Sequence, residues 1–205
     1  MKILLWVMLM STIIGCASPC VDDYQGTSPV INLQTFFQGD LVAYGIVRNR
    51  SGKVTRHFQA ALSGHWQQGA DGTMVGILDE TFWFNDGEEQ QRVWRLTPNG
   101  PDRYIGTAGD VNDTAKITVK GQAMNVLYQL VIPWNDSKVA LNVDDWMYAV
   151  TPNVVINETR MTKWGFQVGK VTLVIMKAGV SDDIPALLNK VLVTTDAGLR
   201  SIASH

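Results

Sequence analysis

Val54-Thr55-Arg56-His57-Phe58-Gln59-Ala60-Ala61-Leu62-Ser63 alternates residue by residue. Val54, Arg56, Phe58, Ala60 and Leu62 fall on one side of an extended chain, and Thr55, His57, Gln59, Ala61 and Ser63 on the other. Two is the strand period, whereas a helix would place its apolar residues three and four apart. Similar alternation recurs at Leu78 to Phe84, Gln122 to Ile132 and Val139 to Val150. Turn signals separate the runs: Ser51-Gly52, Asp71-Gly72, Asp86-Gly87, Pro98-Asn99-Gly100, Lys120-Gly121, Asn135-Asp136 and Thr151-Pro152-Asn153. The spacing predicts an all-β domain of about 8–10 antiparallel strands in meander order. An up-and-down β-barrel is the expected form, because closure removes the exposed edges of such a sheet. One short helix is expected near the C-terminus, where Ser181-Asp182-Asp183 can cap a segment carrying Ile184, Leu187, Leu188, Val191 and Leu192.

Ahead of the strands the chain has a different character. Met1-Lys2 leads into the apolar run Ile3 to Met10, then Ser11-Thr12 and Ile13-Ile14-Gly15-Cys16. A positive start, a short apolar stretch and a small residue at the end are the parts of a secretory signal. The run is too short for a membrane span, which takes ~20 apolar residues. Ile13-Ile14-Gly15-Cys16 resembles the lipobox of bacterial lipoproteins, in which the cysteine is acylated and becomes the new N-terminus. The resemblance implies a signal peptide over 1–15, a lipidated tether over 16–35 and one barrel domain over 36–205. Each buried acyl methylene contributes ~0.8 kcal/mol, and more than one chain makes a durable anchor. Ala17, rather than Asp, after the cysteine resembles lipoproteins sent to the outer membrane, so the periplasmic face of that membrane is the expected location. The competing reading is an apolar first strand with Cys16 as a buried thiol. With Cys16 acylated, Cys20 is the only thiol left, which excludes an intramolecular disulfide in the mature chain.

Composition narrows the partners. The formal net charge is -2 and Lys and Arg are dispersed, so no electrostatic footprint for nucleic acid is present. Only His57, His65 and His205 exist. His57 and His65 lie eight residues apart on one strand, roughly 26 Å at the strand rise, too far to share a metal without a bend. No metal-ligand spacing, Gly-x-Ser-x-Gly elbow or phosphate-cradling loop appears, so neither metal nor cofactor is expected. Carboxylates are the remaining catalytic stock: Asp79 or Glu80 with Asp144 as an acid and base across the barrel, with Asp145 also among the acids an enzyme here would use. A non-enzymatic reading is favoured.

Two strands carry unusual side chains. In Arg92-Val93-Trp94-Arg95-Leu96, alternation groups Arg92, Trp94 and Leu96 against Val93 and Arg95. In Asp144-Asp145-Trp146-Met147-Tyr148 it groups Asp144, Trp146 and Tyr148 against Asp145 and Met147. A structural reading pairs Arg92 or Arg95 with Asp144 or Asp145 to fix register, and Asp145→Ala would then cost ~3–5 kcal/mol. A functional reading brings one of these charges to the head group of an amphiphilic ligand. Trp94, Trp146, Tyr104, Tyr128 and Tyr148 would line its apolar part. Gly45, Ala60, Ala61, Gly76, Gly106 and Ala108 are small enough to leave a cavity among the aromatics, against the alternative of a filled core.

A family resemblance rests on Phe36-Phe37-Gln38-Gly39, Ala43-Tyr44-Gly45-Ile46-Val47, Ser51-Gly52-Lys53-Val54-Thr55-Arg56, Asp86-Gly87-Glu88, Arg92-Val93-Trp94-Arg95-Leu96, Tyr104-Ile105-Gly106-Thr107-Ala108, Gly109-Asp110-Val111, Asp144-Asp145-Trp146-Met147 and Lys163-Trp164-Gly165. Together these resemble the DUF3833 family of proteobacterial lipoproteins, which has no activity to carry over. The resemblance implies a lipocalin-like or calycin-like barrel on an acylated N-terminus. The expected function is binding or carrying a fatty-acid-like or other lipophilic molecule. The alternatives are an envelope assembly partner with a filled barrel and a lipid-modifying enzyme.

Overall fold

Inward-facing apolar side chains on every strand of a long meander can be buried together only if the sheet curls onto itself. The structure, a computed structural model, describes residues 19–69 and 71–180. Ten antiparallel strands form one closed barrel: β1 (Gly39–Asn49), β2 (Val54–Gln68), β3 (Met74–Phe84), β4 (Glu89–Pro98), β5 (Arg103–Thr107), β6 (Val111–Lys120), β7 (Ala123–Trp134), β8 (Ser137–Thr151), β9 (Val154–Lys163) and β10 (Phe166–Lys177). Each strand pairs with its neighbours in sequence, and β1 closes on β10 from Leu41↔Lys177 to Asn49↔Gly169. Residues 1–15, Cys16 and the C-terminal helix expected after residue 181 lie outside the described residues.

The alternation read on β2 is the wall of the barrel. Phe58, Ala60 and Leu62 are buried inside, while His57, Gln59, Ser63 and His65 face solvent. All the turns signalled in the sequence join consecutive strands. Two further turns were not signalled in full: Ala108 to Asp110 joins β5 to β6, and Trp164-Gly165 joins β9 to β10. The second is hidden because Trp164 itself takes a left-handed φ of 50°, a conformation unusual for tryptophan.

One end of the barrel is plugged by the segment before β1. A single-turn helix, α1 (Leu33–Phe36), is capped by Asn32, whose Oδ1 accepts from the Thr35 N–H at 3.0 Å. Ile31, Leu33, Phe36 and Phe37 are all buried in the core. Gly64 makes this possible: a Cβ there would lie 1.6 Å from the Phe37 carbonyl oxygen. Upstream, a 3₁₀ turn over Val21–Tyr24 lies on the outer wall, where Tyr24 packs on Trp146 and Tyr148 at ring distances of 6.0 and 5.6 Å. Thr27 Oγ1 accepts from the Gln122 N–H, and the Ile31 N–H donates to the Gly121 carbonyl. The tether expected over 16–35 is thus a packed strap and plug from Val21 onward. Ile31 and Leu33, in a run too short to show a helix or strand period, bury with Phe36 and Phe37.

The turns β1–β2, β3–β4, β5–β6, β7–β8 and β9–β10 surround the other end, which has no plug among the described residues.

Candidate functional site

A cavity of about 230 Å³ occupies the barrel between the plug and the open end. Its walls are mainly apolar, with Phe82, Val126, Leu130, Val143, Met161 and Leu173 among the lining residues. Apolar cavities of ~150 Å³ already take up benzene. Into this space the inner face of five strands projects a short run of polar groups: Glu80 from β3, Arg92 from β4, Tyr128 from β7, Asp145 from β8, and Asn157 and Thr159 from β9. Only β5 and β6, between Arg92 and Tyr128, interrupt this series; the other groups come from adjacent strands.

Arg92 is the centre of the charge arrangement. β4 pairs with β5 only over Arg95–Pro98, so the first half of β4 has no β5 neighbour. Arg92 spans that gap to Asp110 in the β5–β6 turn, with Nε–Oδ2 at 2.9 Å and Nη2–Oδ2 at 2.6 Å. Its Nη1 stands 3.9 Å from Glu80 Oε2, close enough for attraction but too far for a hydrogen bond. The guanidinium is therefore charged and committed, its ionisation favoured by Glu80 and Asp110 against the opposing effect of burial.

Glu80 is the exposed weakness of the cluster. Its side chain is 11% accessible, and its buried Oε2 has no hydrogen-bond partner. Burial pushes its carboxyl up to about 7; Arg92 pulls the other way and the Asp145 charge adds to the rise. Asp145, 8% accessible, is raised to about 6, chiefly by burial. Hydrogen bonds from Asn157 Nδ2 and Thr159 Oγ1 to its Oδ1 oppose that rise. Burial, then the Asp145 charge, raises the Tyr128 phenol as well, so it stays protonated. Tyr128 meets Trp94 edge-on at 5.6 Å.

The residues singled out in the sequence divide between the two faces of the wall. Arg92, Trp94, Tyr128 and Asp145 line the cavity. Arg95 is exposed outside. Asp144 also points outward, bonded to Arg160 at 3.0 Å and to Asn125 at 2.9 Å. Trp146 and Tyr148 stack on the outer wall at 5.9 Å beneath Tyr24, so they pack the strap and not a ligand. Tyr104 packs on Trp66 and does not line the cavity. The expected Arg92/Arg95 to Asp144/Asp145 ion pairs do not form; Asp110 and Arg160 are the partners instead. Among the carboxylates, Glu80 and Asp145 face inward, while Asp79 is exposed and Asp144 lies on the outer face.

The three glycines among the small residues, Gly45, Gly76 and Gly106, do a different task from the one expected. A Cβ on Gly45 would strike the Phe58 ring at 2.3 Å, one on Gly76 the Trp66 ring at 2.7 Å, and one on Gly106 would crowd the Trp94 ring at 3.2 Å. They seat aromatic rings; the open space lies elsewhere. Sequence reasoning missed Asn157, Thr159 and Asp110. Asn157 and Thr159 were legible as polar side chains at alternate, inward positions between Val155 and Met161.

Since Asp145 is held by hydrogen bonds and not by an arginine, Asp145→Ala should cost ~1–3 kcal/mol, the price of orphaned donors, and not the larger loss of a broken ion pair. Urea unfolding at pH 5, where the Asp145 carboxyl, raised to about 6, is mostly protonated, measures it without the penalty of its buried charge. Asn157 keeps its second bond, to the Trp146 carbonyl, which limits the loss.

Comparison with known proteins places the fold. Residues 10–177 match the family described as "Protein of unknown function (DUF3833)". No curated protein sequence matches the chain. Among solved structures, an S-type phycobiliprotein lyase from Guillardia theta is similar at 8% identity and a TM-score of 0.53, over 72% of this chain and 93% of that one. A protein of unknown function from the DUF3598 family of Nostoc punctiforme is similar at 11% identity and a TM-score of 0.51. That match covers 80% of this chain and 53% of the other, so this chain spans about half its length. At such identities the likeness is one of fold, a lipocalin-like closed barrel.

Proposed function

Because the chain belongs to the DUF3833 family, whose description names no activity, function has to be read from the barrel, and we propose that it binds or carries a lipophilic ligand there. The supporting observation is a cavity with apolar walls and one unpartnered buried acceptor, Glu80 Oε2. Apolar walls with a few placed polar groups are what a site for a hydrophobic ligand requires. A filled barrel, the basis of the assembly-partner reading, predicts no such space.

The size of the cavity constrains the ligand. Sites for whole drug-sized molecules run from ~300 Å³ upward, so about 230 Å³ suits a compact molecule or one end of a longer chain. Phe58, Phe82 and Phe84 line the way toward the open end, with Phe58 at 5.7 and 5.3 Å from the other two rings. A fatty-acid-like ligand enters with its chain along these rings. Arg92 is already bridged to Asp110, so an ionised carboxylate has no free cation to meet. The free acceptor on Glu80 favours an end that donates a hydrogen bond: a hydroxyl, an amine or a protonated carboxyl.

The N-terminal signal supports the cellular part of the proposal. Cys16 carries the acyl anchor, and the barrel works at the periplasmic face of the outer membrane. The sequence of residues 1–16 is what supports this location.

Leu173→Trp tests the site. Leu173 is half-buried and lines the cavity, so the indole fills it from the wall. Wild-type protein is expected to take up a fluorescent fatty acid and the variant to lose at least tenfold in affinity at unchanged fold. Equal uptake by both, or none by the wild type, would overturn the proposal.

A further inference from the structure

Two neighbouring turns on the open rim, β7–β8 and β9–β10, expose large aromatic side chains. Trp164 is 85% accessible, Phe166 63% and Trp134 61%. Trp134 ends β7, and Trp164 and Phe166 flank the β9–β10 turn. β8 pairs with both β7 and β9, and β10 pairs with β1, so these turns and the β1–β2 turn follow one another around the rim. Single exposed apolar residues need no explanation, but aromatics grouped at the tips of adjacent turns do.

The charges beside them are mainly basic. Residues 50–53, 134–138 and 163–166 hold Arg50, Lys53, Lys138 and Lys163 against a single acid, Asp136. Arg50 lies 5.8 Å above the Phe166 ring and Lys163 5.2 Å from the Trp164 ring. Across the mouth, the β3–β4 turn is acidic, with Asp86 and Glu88 held by Arg56. We infer that the arc bearing Trp134, Trp164 and Phe166 lies against an anionic phospholipid bilayer. Tryptophan suits the headgroup level of a membrane, and lysine and arginine beside it meet lipid phosphates. A bilayer accepts rings projecting from separate turns without requiring a shaped pocket. The acidic turn is repelled by the same surface, which tilts the barrel toward its basic side. The strap packs on Trp146 and Tyr148 of β8, the strand that begins at the Trp134 turn. The mouth of the cavity then opens beside the lipid from which a lipophilic ligand arrives. That last consequence rests on the proposed ligand function; the docking itself does not.

The test is made on the mature chain from Cys16 onward, which lacks Trp6, bound to vesicles of phosphatidylglycerol and brominated phosphatidylcholine and read by tryptophan fluorescence. Bromine quenches only indoles at lipid depth, so the readout separates rim contact from attachment elsewhere. Wild-type emission is expected to be quenched, and Trp134→Phe with Trp164→Phe to remove more than half of the quenching. Trp146→Phe, under the strap near the plugged end, should leave it unchanged. Arg50→Glu with Lys163→Glu should release the rim and lower quenching at least twofold. Equal quenching in the wild type and the Trp134/Trp164 variant, or in the charge-reversed variant, would overturn the inference. So would rim tryptophans that stay unquenched in lipid and respond only to another envelope protein. Each of these results leaves fatty-acid uptake by the cavity as a separate measurement.

Discussion

Gly64→Ala is expected to destabilise the barrel by at least about 3 kcal/mol, a fall of roughly 6–12 °C in thermal midpoint. The added methyl would sit 1.6 Å from the Phe37 carbonyl oxygen and 2.8 Å from its carbonyl carbon. Both are backbone atoms, so no rotamer change relieves the contact. Either β2 bends or the plug withdraws, and withdrawal exposes Leu33, Phe36 and Phe37, all now buried. Gly109→Ala is the matched control, because a Cβ there meets nothing within 4 Å. It should stay within ~0.5 kcal/mol of the wild type. Denaturant unfolding of the two variants decides the matter; a Gly64→Ala protein as stable as Gly109→Ala would mean that the plug is not seated against β2.

The second large effect is on pH. Burial, set against Arg92, lifts the Glu80 carboxyl from 4.5 to about 7, and burial lifts Asp145 from 3.8 to about 6. A raised carboxyl binds its proton more tightly in the folded protein than in the unfolded chain. Stability from this source is complete below pH ~4 and is lost as pH climbs through 6 and 7. From pH 5 to pH 8 the folding free energy should therefore fall by on the order of 3 kcal/mol. Asp71 and Asp86 are shifted downward by hydrogen bonds, to Thr73 and Arg56 respectively, and act in a more acidic window. Glu80→Gln keeps the shape without the charge. It should match the wild type at pH 5, exceed it at pH 8 and flatten the profile between. Stability that is constant or rising from pH 5 to 8 in the wild type would show that Glu80 and Asp145 are solvated.

The barrel was legible because its signals are local. Each inward residue on β2 sits two from the next, and turns such as Asp86-Gly87 and Asn135-Asp136 announce themselves by residue type. What could not be read is whatever depends on position across the barrel. Alternation separated Arg92 from Arg95 and Asp144 from Asp145, but it gives only two sets per strand and does not say which set faces in. For β4 the burial of Trp94 and Leu96 settles it; for β8, Leu141, Val143 and Ala149 draw Asp145 inward and send Trp146 out. Large aromatics suggested the opposite choice. They face outward there because the strap covers them, and Tyr24 lies far away in sequence. The partners of charged residues are equally non-local: Asp110 reaches Arg92 only because β5 is short. A glycine in the sequence suggests space, but Gly45, Gly76 and Gly106 each hold a ring from a neighbouring strand.

The central proposal is that the space beside Glu80 holds a lipophilic molecule. Native mass spectrometry with lipid extraction tests it most directly, on wild-type protein and Leu173→Trp purified alike from bacterial envelopes. The wild type should carry a discrete, extractable mass of a few hundred daltons (on the order set by a compact site), and the filled variant should fly without it. A wild-type barrel that is empty and takes up no fatty acid, or a bound mass that persists unchanged in Leu173→Trp, would contradict the account.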